Sequence, residues 1–180
     1  MRLMIASDLH GSVFYGKKLL EAFEKEKCSR LLLLGDLLYH GPRNELPQEY
    51  DPRTLSVMLN AQKKALLAVR GNCDTEVDQM VLEFPILADY SVLLLGEHLL
   101  YATHGHKYLP ENLPLQSGNL FLQGHTHVPM CIEKNGILCL NPGSVSIPKE
   151  HSHHQYMLYE NGVFLWKDFA GTITNRKILE

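Results

Sequence analysis

Cysteine is sparse in this 180-residue sequence, and its four copies, Cys28, Cys73, Cys131 and Cys139, form no C-x-x-C pair. That pattern excludes a disulfide scaffold and reads as separate reduced thiols in a cytosolic protein. Long apolar runs are missing too. The stretches Val92 to Leu95 and Leu99 to Ala102 are parted by Glu97 and His98, far short of the roughly 18 residues a membrane span needs. Near the N-terminus, Leu3 to Ala6 is too short for a signal-peptide core and is cut off by Asp8 and His10. Positive charge is not in excess: 17 Lys and Arg against 20 Asp and Glu give a net charge of -3. A generally basic nucleic-acid binder is thereby excluded, although a local basic groove is not. No internal repeat or low-complexity tract is present. With 45% hydrophobic and 21% charged residues, the chain reads as soluble and globular, one domain over residues 1–180.

Hydrophobic periodicity predicts β-α-β-α-β order in the first half: strand Arg2 to Ser7, helix Gly16 to Lys27, strand Arg30 to Leu34, helix Arg53 to Leu66 and strand Leu67 to Val69. The strands lack alternation, as in a largely parallel sheet covered on both faces. In the second half, strand-like runs fall near Ile86 to Leu95, His98 to Thr103, Leu120 to Gln123, Met130 to Ile132, Ile137 to Leu140, Tyr156 to Tyr159 and Val163 to Phe169. Turns such as Lys134-Asn135-Gly136 and Glu160-Asn161-Gly162 join some of them as hairpins. Leu37 to Pro52 carries three prolines and no periodicity. Its length suits a lid, an oligomer contact or a mobile segment.

Polar residues recur directly after apolar strands: Asp8 and His10, Asp36, Asn72 and Asp74, His104 and His106, His125 and His127. In an open α/β sheet the loops beyond the strands' carboxyl ends converge on one crevice, so five such loops can gather distant side chains. A mixture of carboxylate, amide and imidazole suits Mn, Fe, Zn, Co or Ni better than a purely Mg or Ca site. The two oxygens of Asp36 could bridge two ions about 3.5 to 4 Å apart, the spacing of in-line displacement at phosphorus. Asp74 is expected to cap a helix beginning at Thr75, in preference to orienting a ligand. Asn141 to Ser144 reads as a turn buttressing the site, and His151, His153 and His154 as a solvated loop.

The ordered set Asp8-x-His10, Gly35-Asp36, Gly71-Asn72-x-Asp74, His104-Gly105-His106 and Gly124-His125-x-His127 resembles the motifs of calcineurin-like metallophosphoesterases. The chain's shortness and Asn141-Pro142-Gly143-Ser144 make it similar, within them, to the compact YfcE-type phosphodiesterases. The resemblance implies an α/β fold, a four-layer α/β/β/α sandwich of two mixed sheets. It also implies two divalent transition-metal ions, Mn being expected and Zn, Fe, Ni or Co possible. Asp8, His10, Asp36 and His127 would hold one, and Asp36, Asn72, His104 and His125 the other. A hydroxide bridging the ions would attack phosphorus, with Asp36 and Asn72 part of the catalytic apparatus. Two divalent ions, two carboxylates and one hydroxide leave one positive charge, which matches a phosphodiester better than a monoester. Many relatives carry His where this chain has Cys73, so help to the leaving group falls to His106, to a water or, poorly, to the Cys73 thiol.

The expectation is a cytosolic phosphodiesterase acting on a small diester, with neither a nucleic-acid module nor a membrane segment, and forming a homo-oligomer, a dimer or tetramer. Two rivals stand beside it. One is a phosphomonoesterase. The other is a non-catalytic metal-binding scaffold, since a retromer subunit resembles the same family and uses the fold chiefly to bind proteins. His40 and Arg43, soon after Asp36, read as exposed loop surface with a possible reach to substrate phosphate.

Overall fold

In the computed structural model, which describes residues 2–179, the first half forms β1 (Leu3–Ala6), α1 (Val13–Lys25), β2 (Arg30–Leu33), α2 (Pro52–Ala61), β3 (Leu66–Ala68) and a short α3 (Glu76–Val81). The second half supplies β4 (Tyr90–Leu95), β5 (His98–Thr103), β6 (Leu120–Leu122), β7 (Met130–Lys134), β8 (Ile137–Asn141), β9 (Gln155–Glu160), β10 (Val163–Asp168) and β11 (Ile173–Ile178). One mixed sheet runs β11-β10-β9-β1-β2-β3 and the other β4-β5-β6-β8-β7.

Apolar residues on both faces of β1 and β2 make the first sheet an inner layer. Met4, Ala6, Leu31 and Leu33 pack with Leu19 and Phe23 of α1 and Leu55 and Leu59 of α2. The alternate residues Leu3, Ile5 and Leu32 join Leu100, Leu120, Leu122, Leu138 and Leu140 of the second sheet. A two-residue side-chain period thus splits one continuous apolar run between two cores, and each fully buried leucine contributes about 1.5–3 kcal/mol. Trp166 of β10 is wholly buried between the sheets, and its Nε1–H donates to the Asn141 carbonyl at 2.7 Å. Among the described residues, helix in the second half is limited to the 3₁₀ turn Pro110–Asn112, so Val92, Leu94 and Leu99 stay exposed.

Several boundaries differ from the periodicity, each for a local reason. α1 begins at Val13 rather than Gly16 because Ser12 caps it, its hydroxyl accepting the Tyr15 N–H at 3.2 Å. α2 stops at Ala61 rather than Leu66, where Gln62 and Lys63 donate to Leu59 and Asn60 in tightening turns. Residues 86–89 are not part of β4, because Ile86 is drawn into the helix-side core and donates its N–H to Gln79. The edge strand β11 is polar and exposed, so it carries no apolar alternation to detect. Residues 37–51 form no helix or strand, yet they are fastened: Ser12 Oγ donates to the Gln48 carbonyl at 2.6 Å, and Val13 N–H to Glu49 at 3.0 Å. Ser12 therefore serves helix and loop together. Ser12→Ala is expected to lower stability by about 1–2 kcal/mol, read from urea unfolding, and to raise proteolysis within residues 40–50 ahead of the rest of the chain.

Candidate metal centre

Every motif residue follows the carboxyl end of a strand that lies parallel to a neighbour. β1 leads to Asp8 and His10, β2 to Asp36, β3 to Asn72, β5 to His104, and β6 to His125 and His127. The ends of the two sheets are stitched together by His125 N–H donating to Asp8 Oδ2 at 3.3 Å and Val145 N–H to Ser7 O at 3.0 Å, while within the second sheet Gly124 N–H donates to His104 O at 2.9 Å. Asp8, His10, Asp36, His125 and His127 all have φ between 47° and 65°, a left-handed backbone that costs roughly 1–2 kcal/mol per non-glycine residue. Such turns reverse the chain at once, so the side chains face inward instead of trailing along the strand.

Close packing at Gly71 and Gly124 leaves no room for a side chain. A Cβ on Gly71 would stand 2.1 Å from Asp36 Oδ1, and one on Gly124 1.9 Å from Ser7 Oγ. Asn141, the last residue of β8, donates from its amide to Gly124 O at 2.8 Å. Ser144 and Ser146 hydroxyls donate to Asp8 O at 3.1 and 2.8 Å. The Asn141 to Ser144 turn thus buttresses two motif loops.

The imidazoles are oriented by backbone. His10 Nδ1 lies 2.8 Å from Tyr39 O, His104 Nδ1 2.6 Å from Leu34 O and His127 Nδ1 2.6 Å from Ile147 O. Donation from Nδ1 leaves the Nε2 lone pair of each ring directed inward, as a metal ligand requires. His10 Nε2 and His127 Nε2 then face each other at 3.2 Å, and Asp8 Oδ1 lies 3.3 Å from His127 Nε2. Beside this group, His104 Nε2 meets Asn72 Oδ1 at 3.0 Å and His125 Nδ1 at 3.2 Å. Asp36 Oδ2 lies between them, 3.7 Å from His10 Nε2 and 3.5 Å from His104 Nε2. Its Oδ1 is occupied by the Cys73 N–H at 2.8 Å. One oxygen of Asp36, not two, therefore faces both half-sites.

Electron pairs crowded in this way call for positive charge between them. Burial pushes the Asp36 carboxyl up, but the His104 hydrogen bond and charge hold it well below the usual carboxylate range. Burial lowers His104, yet Asp36 and Asp8 raise it to about 9. Asp8 Oδ1 is buried without a hydrogen-bond donor. A divalent cation satisfies these demands together, and Asp8, His10 and His127, or Asp8, Asp36 and His104, offer ligand atoms within 4.8 Å of one another. The donor set therefore fits a borderline transition metal.

Three sequence readings are corrected here. Asp74 does not cap α3, whose cap is Thr75. Its buried carboxylate instead accepts the N–H groups of Asp36, Leu37 and Gly71 at 2.9, 2.9 and 2.7 Å, clamping the β2 and β3 loops together. His154 is not solvated: its ring stacks on Tyr15 at 4.0 Å and bonds the Tyr15 hydroxyl and Val145 O. His40 turns to Tyr39 and Tyr50 rather than to the site, whereas Arg43 lines it. Cys73 is buried, its thiol raised by burial and by Asp36, and accepts from the Asn72 amide at 3.2 Å. His106 is exposed, with its ring centroid 5.3 Å from His104 and 6.2 Å from His125. A cleft of about 430 Å³ opens onto Asp36, Asn72, His125 and His127 and is walled also by Arg43, Asn44, Thr126 and Lys149. Asn44 and Lys149 had no sequence signal, because only the fold brings their loops to this opening, whereas Thr126 sits between the motif residues His125 and His127. A cavity of about 490 Å³ around Leu94, His98 and Tyr159 holds no such donor cluster.

Known proteins resemble this chain to different degrees. A family model described as the calcineurin-like phosphoesterase superfamily domain matches residues 1–161. Phosphodiesterase YfcE of Escherichia coli (strain K12) is 46% identical over 164 residues, 91% of this chain and 89% of that protein. A phosphodiesterase of Methanocaldococcus jannaschii is 25% identical over 151 residues, 79% of this chain and 83% of its own. The solved structure of YfcE, described as a phosphoesterase from E. coli, superposes with a TM-score of 0.96 at 42% identity over 100% of both chains.

Proposed function

Because the chain belongs to the calcineurin-like phosphoesterase superfamily, we propose that it is a metal-dependent phosphodiesterase, hydrolysing a small phosphodiester at a dinuclear centre within one domain. The observation that carries this reading is the double cluster of inward-facing donors, with Asp36 Oδ2 between the two halves. Asp8, His10, Asp36 and His127 hold one ion, and Asp36, Asn72, His104 and His125 the other. When bound, the ions supply Lewis acidity toward the phosphoryl oxygens and make hydroxide available near neutral pH. The protein's own part is positioning. Backbone carbonyls lock His10, His104 and His127, Asp74 and the Cys73 N–H hold Asp36, and the cleft admits a small diester. We assign protonation of the leaving group to His106, at the exposed rim, and give the Cys73 thiol a packing role. Mn is the proposed metal, with Zn, Fe, Ni and Co able to satisfy the same donors.

A non-catalytic scaffold has no need of seven convergent donors, and the charge count favours a diester over a monoester. Metal-stripped protein is expected to be inert toward bis(p-nitrophenyl) phosphate and to gain at least about a hundredfold in rate with added Mn, exceeding its rate on p-nitrophenyl phosphate. Faster cleavage of the monoester sinks the diester assignment. Metal binding without turnover under Mn, Zn, Fe, Co or Ni sinks hydrolysis and favours the scaffold. Among the described residues no helix is long and apolar enough to cross a membrane, and the proposed setting is the cytosol. Homo-oligomerisation, to a dimer or tetramer, is proposed through the uncharged edge strand β4, where Val92 and Leu94 are exposed.

A further inference from the structure

The cleft carries two cations that the dinuclear chemistry does not use. Arg43, from the loop after β2, and Lys149, from the loop before β9, both line it, and Asp36 is the one acidic residue among its walls. Neither forms an ion pair with a carboxylate among the described residues, whereas Lys107 and Lys134, elsewhere on the surface, are paired with Asp89 and Glu111. Both loops are anchored. Beside Arg43, the Asn44 amide donates to His40 O at 2.8 Å. Lys149 donates its N–H to His127 O at 3.2 Å and accepts the Ser152 hydroxyl at 2.6 Å, so its backbone is one hydrogen bond from a proposed metal ligand.

Two divalent ions, Asp8, Asp36 and one hydroxide leave a single positive charge, which a simple diester already neutralises. Arg43 and Lys149, both exposed at the cleft wall, are then left to solvent and stand ready to meet a second anion on the substrate. Resting on the phosphodiesterase reading, we propose that Arg43 and Lys149 form an anion subsite that selects small diesters whose retained group carries a second negative charge, a phosphate or a carboxylate. An arginine fork and a lysine point charge are suited to such a group. The cleft, about 430 Å³, is of small-molecule rather than polymer size.

A matched pair of chromogenic substrates tests this: the p-nitrophenyl ester of thymidine 5′-monophosphate and the same ester bearing a 3′-phosphate. They share leaving group and reacting phosphorus and differ only in the second anion. The Mn-loaded wild type is expected to show a kcat/KM roughly tenfold higher for the 3′-phosphorylated ester, carried mainly by KM. In the Arg43→Gln/Lys149→Gln protein that ratio falls to within about twofold of unity, and Arg43→Lys recovers part of it. A wild-type ratio near one overturns the subsite, as does a double variant that slows both esters equally and leaves the ratio intact. If neither ester nor bis(p-nitrophenyl) phosphate is cleaved, the phosphodiesterase reading fails and the inference with it. Cleavage without preference removes the inference alone.

Discussion

Asp36→Ala is expected to abolish Mn-restored diester hydrolysis, lowering kcat/KM by at least about a thousandfold, or about 4 kcal/mol of transition-state stabilisation. The magnitude follows from position. Asp36 Oδ2 is the one carboxylate oxygen within 3.7 Å of both His10 Nε2 and His104 Nε2, so its removal takes an anionic donor from both half-sites. Metal content after dialysis should fall below two ions per chain, and the stabilisation that Mn confers on the wild type, about 2.7 kcal/mol at a hundred times its dissociation constant, should largely vanish. Thermal unfolding without metal separates this from misfolding. The variant should unfold near the metal-free wild type, because the alanine also removes one of two neighbouring buried carboxylates, Asp8 and Asp36. Retained activity with two bound ions is incompatible with the shared-ligand assignment.

Asp74→Ala should produce the largest loss of stability. Its carboxylate is the acceptor for three N–H groups, those of Asp36, Leu37 and Gly71. Leaving a buried donor unpaired costs about 1–3 kcal/mol, so roughly 3–9 kcal/mol is at stake before relief of the carboxylate's own burial, a large part of a typical domain's net stability. Had Asp74 capped α3, the loss would be about 1 kcal/mol. Urea unfolding distinguishes the two, and Asp74→Asn, which keeps one carbonyl oxygen for these donors, should fall between wild type and alanine. If the alanine variant is too unstable to isolate, the asparagine variant still decides the matter through stability and Mn affinity. A loss under about 1 kcal/mol in the alanine variant removes the clamp.

Asp74 lies beyond the reach of local sequence rules. An Asp just before Thr75 fits the local rule for a cap, and nothing local reports that Thr75 takes that place while Asp74 turns toward β2, 38 positions back in the chain. The start of α1 differs for another reason: the apolar periodicity begins at Gly16, while the Ser12 cap sets the first turn at Val13. β11 escaped because an exposed edge strand needs no apolar face. Asp36 was recognised as central, yet its use of a single oxygen was hidden, since the other is taken by the Cys73 N–H.

What the sequence determined by itself was the class of fold and the inventory of donors. Both are local properties: unbroken apolar runs mark strands buried on two faces, and Asp, Asn and His directly beyond them mark the crevice where parallel strands end. What only the tertiary structure decided was which donors face which, how each imidazole is turned, and which cations line the opening. His10 and His127, 117 residues apart, meet at 3.2 Å. That meeting depends on the packing of two sheets and on left-handed turns at aspartate and histidine, relations that no hydrophobic period or short motif encodes.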